Sequence, residues 1–388
     1  GSVSYLTCYK QIKQFVKIST ITNDSDEFGA SLSIDESSSL LAVGDPKNNM
    51  VYIYNRNSQY NGLNKFWNEE LDPVTPTDKY TSTTVSFGNP VSISSYQGKN
   101  WALSVSDIDG GNVYVYIYIL NDDGENADSQ WTQYEFMFDG NKSRTAQSSK
   151  FGFANKIIFN NEFEINLLVS APWRNETDPN DLSKTINDAG IVNLVTIDWS
   201  DYPNFRHDLT KVENENLTDY SYFGYSLDWF EYPNEKLDRF FIVSAPSSNE
   251  NSKYNKSSVY QYRIDKTGSD ITLQKTIQQS NYSFGYSVST GKLSNKKEKN
   301  LYNFAVGYPA AKNDGDGNVY IYNFNSFDNI IEEKQLIFPT TDDISFGKNV
   351  SMSDSYEGNN SFSVLLVSDN LIDTTESTNY GNINLYQG

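Results

Sequence analysis

Two acidic turns hold the side chains of this sequence that are best suited to bind a metal ion. They read SDIDGG over Ser106–Gly111 and NDGDGN over Asn313–Asn318, and their carboxylates belong to Asp107, Asp109, Asp314 and Asp316. Closely spaced carboxylate oxygens are the ligands that calcium prefers. Asp-Gly pairs are also frequent in tight β-turns, which is a structural reason for both segments. We expect turns without a cofactor, and calcium at these four aspartates is the alternative.

Side chains for nucleophilic or acid–base catalysis are scarce. His207 is the only histidine and lies in the polar stretch NFRHDLT, while Cys8 is the only cysteine. A histidine pair or a histidine-rich metal centre is therefore excluded, and the neighbours of Cys8 do not form a basic pattern that argues for a thiolate. The 50 Asp and Glu residues will form pairs by chance, so a carboxylate pair remains open. We expect that this chain is not an enzyme.

Aromatic and basic residues in predicted loops are better candidates for ligand binding. The longest insertion, Pro172–Gly190, contains Trp173 and Arg174, and these residue types dominate the energetics of protein interfaces. Loops of the following segments add Tyr254, Tyr308 and Lys312. We predict that these five residues form a ligand-binding surface. The alternative for Trp173 is a structural role as a cap on its own sheet.

Structural elements recur along the whole chain, and they must position these loops. A Phe-Gly dipeptide recurs six times, at intervals of 59, 64, 72, 61 and 62 residues. The six begin at Phe28, Phe87, Phe151, Phe223, Phe284 and Phe346. A period of this size indicates a repeat architecture, in which each unit needs its neighbours to bury its apolar face.

Each repeat contains the patterns of four β-strands. The Phe-Gly opens a short strand, and an apolar run such as FFIVSAP (Phe240–Pro246) then indicates a strand buried on both faces. An alternating run such as VYIY (Val319–Tyr322) and a more polar strand such as IIEEKQLIF (Ile330–Phe338) complete the unit. Four antiparallel strands per repeat are typical of a β-propeller blade. We predict an all-β, six-bladed β-propeller that forms a single domain over residues 1–388.

The repeat resembles the FG-GAP repeat of the integrin α-subunit N-terminal propeller, in which Phe-Gly, a Gly-Ala-Pro-like run and Gly-x-Val-Tyr-x-Tyr follow one another. The SAP tripeptides at Ser170–Pro172 and Ser244–Pro246 match best, and repeats two and six lack the proline. The resemblance implies that one propeller face, formed by the loops after the second strands and between blades, meets a partner. It also implies calcium loops between the first two strands, but here those loops lack the D-x-[DN]-x-[DN]-G-x-x-D pattern.

The two ends of the chain predict how the repeats close. The last repeat has three strand patterns and ends at Ile383–Tyr386, while Tyr9–Thr20 resembles the missing outer strand. We predict that these two segments pair and close a ring of six blades, because closure removes exposed strand edges. Seven blades, as in integrins, are the alternative and would need about one more repeat.

Composition limits the partners and the location. The net charge of −20 disfavours nucleic acid and anionic membranes, which both attract basic surfaces. No apolar run is long enough to span a bilayer, so we expect no membrane insertion by this segment. The start at Gly1-Ser2 is typical of a cloning remnant and leaves room for a signal peptide or an anchor outside this sequence.

These observations predict a non-enzymatic surface binding or adhesion module that recognises a protein or a glycan through propeller-face loops. We expect it at an extracellular location, on a cell or particle surface. One alternative is a structural component or cap of a larger extracellular or virion assembly. Another is a carbohydrate-active enzyme domain that uses an Asp/Glu pair.

Overall fold

The computed structural model describes residues 2–9, 14–35, 39–56, 67–69, 73–75, 86–96, 100–121, 130–139, 149–178, 181–201, 204–230, 238–247, 256–265, 270–279, 283–291, 301–309, 317–325, 330–337, 346–357, 360–373 and 378–387. Within these residues the chain is built from β-strands, with one short 3-10 turn at Pro46–Asn48.

The first two repeats each form a four-stranded antiparallel sheet, and a hairpin precedes them. The hairpin strands are β1 (Ser2–Tyr9) and β2 (Gln14–Thr22). The first sheet consists of β3 (Ser31–Ile34), β4 (Leu40–Asp45), β5 (Met50–Arg56) and β6 (Trp67–Glu69). The second consists of β7 (Phe87–Tyr96), β8 (Asn100–Asp107), β9 (Asn112–Asn121) and β10 (Gln130–Asp139).

The third repeat carries an additional hairpin. Its strands are β11 (Asn155–Asn161), β12 (Glu164–Ala171), β13 (Glu176–Asp178), β14 (Asp181–Ile186), β15 (Ile191–Asp201) and β16 (Asn204–Lys211). The sheet has the order β11-β12-β15-β16, and β13 and β14 pair only with each other in the described residues. The insertion after β12 is therefore itself a β-hairpin.

The last three repeats continue the same order. The fourth sheet consists of β17 (Leu227–Trp229), β18 (Arg239–Ala245), β19 (Ser257–Ile264) and β20 (Ile271–Gln279). The fifth consists of β21 (Ser287–Gly291), β22 (Leu301–Tyr308), β23 (Asn318–Asn325) and β24 (Ile330–Ile337). The sixth consists of β25 (Val350–Glu357), β26 (Asn360–Asp373) and β27 (Thr378–Gln387).

The predicted fold class is confirmed. Every Phe-Gly dipeptide introduces one sheet, and consecutive strands pair with their neighbours in chain order, apart from the hairpin insertion in the third repeat. A succession of four-stranded antiparallel sheets with this order is the architecture of β-propeller blades. The described residues contain six repeat sheets, as the Phe-Gly spacing predicts, rather than seven.

The N-terminal strand has a partner that the sequence prediction did not include. β2 pairs with β1, from Tyr9↔Gln14 to Ser2↔Thr22, and Ile383–Tyr386 pairs with Leu365–Ser368 of β26. The predicted pairing of Tyr9–Thr20 with Ile383–Tyr386 stays a prediction. The sequence prediction overlooked Ser2–Tyr9 as a strand. A strand only a few residues away costs far less loop-closure entropy than a partner at the other end of the chain.

The chain divides into two compact units. The first contains Gly1–Val169 and Asn193–Thr210, and the second contains Ser170–Val192 and Lys211–Gly388. The hairpin of β13 and β14 and the whole of the fourth, fifth and sixth sheets belong to the second unit. The prediction of a single domain over residues 1–388 stays a prediction.

The Phe-Gly dipeptides lie at equivalent places in their sheets. All six phenylalanines are buried, as predicted. In four repeats the ring packs edge-to-face on the first tyrosine of the same repeat's alternating strand, with ring centroids 5.3–5.6 Å apart, as in Phe284 on Tyr320. The glycine that follows, for example Gly285, has a φ of +88°. Glycine adopts this left-handed conformation without the strain that a Cβ atom causes.

The apolar core lies between successive sheets. In the second unit, one cluster joins Phe230 and Phe240 of the fourth repeat to Phe284, Phe304 and Phe324 of the fifth. The fourth sheet therefore covers a face of the fifth, as the repeat period predicts.

Serine side chains on the first strand of one repeat bond to the first strand of the next. Their hydroxyl oxygens accept backbone N–H groups over 3.0–3.1 Å. The pairs are Ser33 with Ile93, Ser92 with Ile157, Ser226 with Val288, and Ser289 with Met352. These bonds fix the register between neighbouring repeats within each unit.

Two buried aspartates act in the same way. Asp35 accepts the backbone N–H of Leu40 over 2.7 Å within its own repeat, and the hydroxyl of Ser95 in the next repeat. Asp228 accepts both the N–H and the hydroxyl of Thr290 in the next repeat, over 2.9 and 3.2 Å. Buried carboxylates need such donors, so these bonds join each repeat to its successor.

Candidate functional site

The insertion between β12 and β15 is the most elaborate surface element that the structure describes. Residues Glu176 and Thr177 of β13 pair with Ile186 and Thr185 of β14. The side chains of β14 are exposed except that of Ile186, and Leu182 is 83% exposed. The hairpin is therefore largely exposed along β14 and has an exposed apolar residue near its tip.

The returning arm of this hairpin is anchored on the segment that precedes the fourth Phe-Gly. The carbonyls of Asn187, Asp188 and Ala189 accept the N–H groups of Tyr220, Tyr222 and Phe223, over 2.7, 3.0 and 2.9 Å respectively. The backbone N–H of Asp188 also donates to Asn175 Oδ1 over 2.8 Å. The hairpin base is therefore tied down on both arms.

Four aromatic rings meet at this base, and we call them the aromatic cluster: Trp173, Tyr222, Tyr225 and Tyr286. The Trp173 ring lies 5.7 Å from that of Tyr222 and 6.0 Å from that of Tyr225, and Tyr225 lies 4.8 Å from Tyr286. All four side chains are half-buried. Burial and a side-chain hydrogen bond with Tyr286 raise the pKa of Tyr225. The cluster presents apolar rings and hydroxyl groups at the surface.

A cavity of about 250 Å³ opens beside the same hairpin base, and we call it the hairpin pocket. It is lined by Glu176, Thr177, Ile186, Gly190, Ile191, Lys211, Val212, Glu213, Asn214, Glu215, Leu217 and Phe223. Gly190 permits the close approach of its two walls, because a Cβ atom there would lie 2.2 Å from the Phe223 carbonyl oxygen.

The charged groups around the hairpin pocket form a chain of ion pairs. Lys211 Nζ lies 2.8 Å from Glu176 Oε2 and 3.7 Å from Glu213 Oε2. Arg174 Nε lies 3.6 Å from Glu176 Oε1. Glu176 is largely buried, with 17% of its side chain exposed, whereas Glu213 is exposed. Acceptors and donors thus alternate around the pocket.

The sequence-predicted binding residues have different positions. Trp173 and Arg174 lie together at the hairpin base, where Trp173 both packs on tyrosines and remains half-exposed. Tyr308 ends β22 and is only 4% exposed. It belongs to the core between the fourth and fifth sheets, which corrects its expected place in a surface loop. Tyr254 and Lys312 lie outside the described residues.

The first acidic turn has a structural role. Asp107 is buried, and its Oδ1 accepts the N–H and hydroxyl of Ser86 and the N–H of Gly110 over 3.0–3.2 Å. Asp109 pairs with Lys150 Nζ at 2.6 Å. Asp314 and Asp316 lie outside the described residues. Across the part of the chain that the structure describes, no group of three or more His, Cys, Asp or Glu side chains could hold a metal ion.

Sequence reasoning missed most of the aromatic cluster. Tyr225 and Tyr286 directly follow the Phe-Gly of the fourth and fifth repeats, and Tyr222 directly precedes the fourth. A tyrosine at this position in two consecutive repeats was the available signal. His207 lies on the exposed strand β16 and packs against Phe138, with ring centroids 5.8 Å apart.

Comparison with known proteins shows similarity in three-dimensional structure only. No protein-family model matches the sequence, and the curated proteins contain no match to it either. Among solved structures, a protein from Lactobacillus plantarum is 10% identical, with 99% of this chain and 94% of that chain covered and a TM-score of 0.47. The Cps50 (Swd1) β-propeller domain of Myceliophteria thermophila is 8% identical, with 99% and 90% covered and a TM-score of 0.48.

The Dos1 propeller is 11% identical over 94% of this chain and 69% of that chain, with a TM-score of 0.42. Similarities this low in identity and TM-score say nothing about activity, ligand or partner. In the described residues, no helix has the length and apolar character required to cross a bilayer.

Proposed function

We propose that this chain is a non-enzymatic binding or adhesion module that recognises a protein or a glycan at the hairpin base. One observation carries the proposal: the aromatic cluster is half-exposed and draws its four rings from three separate segments of the chain. Large rigid aromatic side chains with polar groups at their edges are favourable contact residues, because they lose little conformational entropy on binding.

The proposal also includes the location of the protein and the resemblance of its repeats to FG-GAP repeats. The FG-GAP-like motifs suggest a module that meets its partner through loops on one face, and the hairpin of β13 and β14 is such an element. The net charge of −20 supports an exposed and highly soluble surface. We place the module outside the cell, on a cell or particle surface.

The proposal is tested by shortening the hairpin and by removing one ring. Residues 176–186 are replaced by a short glycine-containing turn in one variant, and the second variant is Trp173→Ala. We expect both to lose binding to host surfaces, with about 2 kcal/mol lost for Trp173→Ala, while the melting temperature stays close to that of the wild type.

Phe163→Ala is the matched control, because Phe163 is 45% exposed and belongs to the β11–β12 connection rather than to the hairpin insertion. Surface binding that survives the shortened hairpin would disprove the proposal. Unfolding of Trp173→Ala would show that this ring is a structural cap.

An enzymatic alternative requires a carboxylate pair, and Glu176 and Glu213 of the hairpin pocket are the candidates. Both contact the same ammonium, that of Lys211, at 2.8 and 3.7 Å. Glycoside hydrolysis needs one carboxyl group that can give its proton to the leaving group. Two carboxylates that share a lysine are better arranged to hold a ligand than to cleave it.

A role as a structural component of an assembly has one observation in its favour. Leu182 is 83% exposed on β14, so its burial against another protein would remove apolar surface from water. Leu182→Ser separates the two functions. It should weaken assembly if the tip is a docking element, and it should leave ligand binding at the hairpin base unchanged.

A further inference from the structure

The size of the hairpin pocket limits what it can hold. Its volume of about 250 Å³ is below the roughly 300–1,000 Å³ of sites that enclose drug-sized molecules. It therefore suits one ring-sized group at the end of a larger ligand.

The walls of the pocket separate apolar from polar groups. Ile186, Val212 and Phe223 are buried and form an apolar inner wall. Lys211, Glu213 and the exposed Glu215 stand at the opening. A ligand that fits must therefore have one apolar face and several polar groups at its edge.

The mixture of charges argues against a charged ligand. An anionic group would meet Glu176, Glu213 and Glu215, and the chain carries a net charge of −20. A cationic group would have to displace Lys211, whose Nζ already lies 2.8 Å from Glu176 Oε2 and 3.7 Å from Glu213 Oε2. A hydroxyl group both donates and accepts hydrogen bonds, so it can use carboxylate and ammonium neighbours together.

We infer that the hairpin pocket binds a neutral sugar residue of a glycan. A pyranose ring has an apolar C–H face for the inner wall and hydroxyls for the alternating donors and acceptors. The aromatic cluster and the pocket share the hairpin base: Tyr222 directly precedes Phe223 of the inner wall, and Arg174, which follows Trp173, pairs with Glu176 of the lining. Its rings then support the next sugar of the chain. This inference rests on the proposed function and specifies its ligand class.

The probes are the methyl glycosides of glucose, galactose, mannose and N-acetylglucosamine, with N-acetylneuraminic acid as an anionic comparison. Saturation-transfer NMR on the full chain should detect binding of at least one neutral glycoside and no binding of the acid. Glu213→Ala/Glu215→Ala removes two acceptors at the opening and should weaken that binding about tenfold or more.

Glu27→Ala/Asp208→Ala is the matched control, because both carboxylates are exposed and lie in the other unit. It should bind as the wild type does, and thermal melting checks that each variant is folded. Absence of any neutral glycoside signal, preference for the acidic sugar, or unchanged binding by the pocket variant would each overturn the inference.

A separate experiment distinguishes a failure of the sugar inference from a failure of the proposed function. Host surfaces are treated with glycosidases in one arm and with protease in the other, and wild-type binding is compared with that of the shortened hairpin. Loss of binding after protease alone, with the hairpin still required, would replace the sugar by a protein ligand and leave the proposed function intact. Binding that does not need the hairpin would overturn both.

Discussion

At the scale of single residues, the buried phenylalanines of the Phe-Gly dipeptides stabilise the repeats. Each is nearly inaccessible to solvent, and in four of the six repeats its edge-to-face contact with a tyrosine of the same repeat ties the start of the sheet to the third strand. The glycine beside it is needed for backbone conformation, so the dipeptide combines packing with a turn.

Phe284→Ala should destabilise the protein by about 3–5 kcal/mol, because it leaves a cavity against Tyr320 in a closely packed core. Urea unfolding monitored by tryptophan fluorescence measures the change. Phe163→Ala is the control, since that ring is 45% exposed and should cost much less. Equal effects of the two substitutions would contradict the packing role of the dipeptide.

Asp188 gives a prediction about pH. Burial raises the pKa of its carboxyl group. A carboxyl with a higher pKa in the folded state favours folding when protonated, so the wild type loses stability as the pH rises through that raised pKa. Asparagine does not titrate and tolerates the φ of 45° at this position.

The difference in free energy of unfolding between Asp188→Asn and the wild type should therefore shift in favour of the variant as the pH rises from about 3 to about 7. Urea unfolding across a pH series measures it. Asp208→Asn, at an exposed position, is the comparison variant. A flat difference for Asp188→Asn would remove the burial argument.

At the scale of elements, the second strand of a repeat contacts its neighbours in one of two ways. A Cβ atom at Gly307 would lie 2.0 Å from the carbonyl oxygen of Gly347 and 2.4 Å from Ser287 Oγ. In the fourth repeat the equivalent residue is Ser244, whose hydroxyl donates to Ser226 O over 3.2 Å and accepts its N–H over 3.0 Å. Glycine permits a close approach in one repeat, and serine makes hydrogen bonds in the other.

Gly307→Ser should therefore destabilise the protein by about 1–3 kcal/mol through overpacking, although serine is native at the equivalent place. Ser244→Gly is the reciprocal variant and should cost about 1–2 kcal/mol through lost hydrogen bonds. Thermal and urea unfolding measure both. A neutral or stabilising Gly307→Ser would show that the neighbouring strand moves aside.

The strands and the hairpin also show which parts of the fold can be predicted from the sequence. Strands such as β18 and β23 were predictable, because continuous apolar runs and β-branched alternation are local signals. The hairpin of β13 and β14 was expected only as a loop, since ETD and DLSKTI show no apolar alternation and pair through the backbone. The aromatic cluster was unpredictable in detail, because its rings come from two neighbouring repeats and one insertion.

At the scale of the whole molecule, the net charge of −20 sets the response to ions. Like charges repel more strongly in the compact state than in the unfolded chain, and salt screens this repulsion. We expect the melting temperature to rise between about 20 mM and 500 mM NaCl, where the screening length becomes short.

Adding calcium tests whether the screening of charge repulsion accounts for the whole effect of ions on the melting temperature. Because the carboxylate of Asp107 accepts hydrogen bonds from Ser86 and Gly110, CaCl2 and MgCl2 at equal concentration should raise the melting temperature equally. Scanning calorimetry measures both. A rise specific to calcium and reversed by a chelator would assign a calcium site, with Asp314 and Asp316 as the next residues to substitute.

The side-chain bonds between successive repeats also bear on how such a chain evolves. Tandem duplication produces copies that are at first interchangeable. Here Asp35 requires the hydroxyl of Ser95 in its successor, and Asp228 requires Thr290 in its own. A repeat moved next to a different neighbour would lose these donors, at a cost of about 1–3 kcal/mol for each carboxylate. The order of the repeats is thus inherited as a linked set, and gene shuffling or chimera design must transfer neighbouring repeats together.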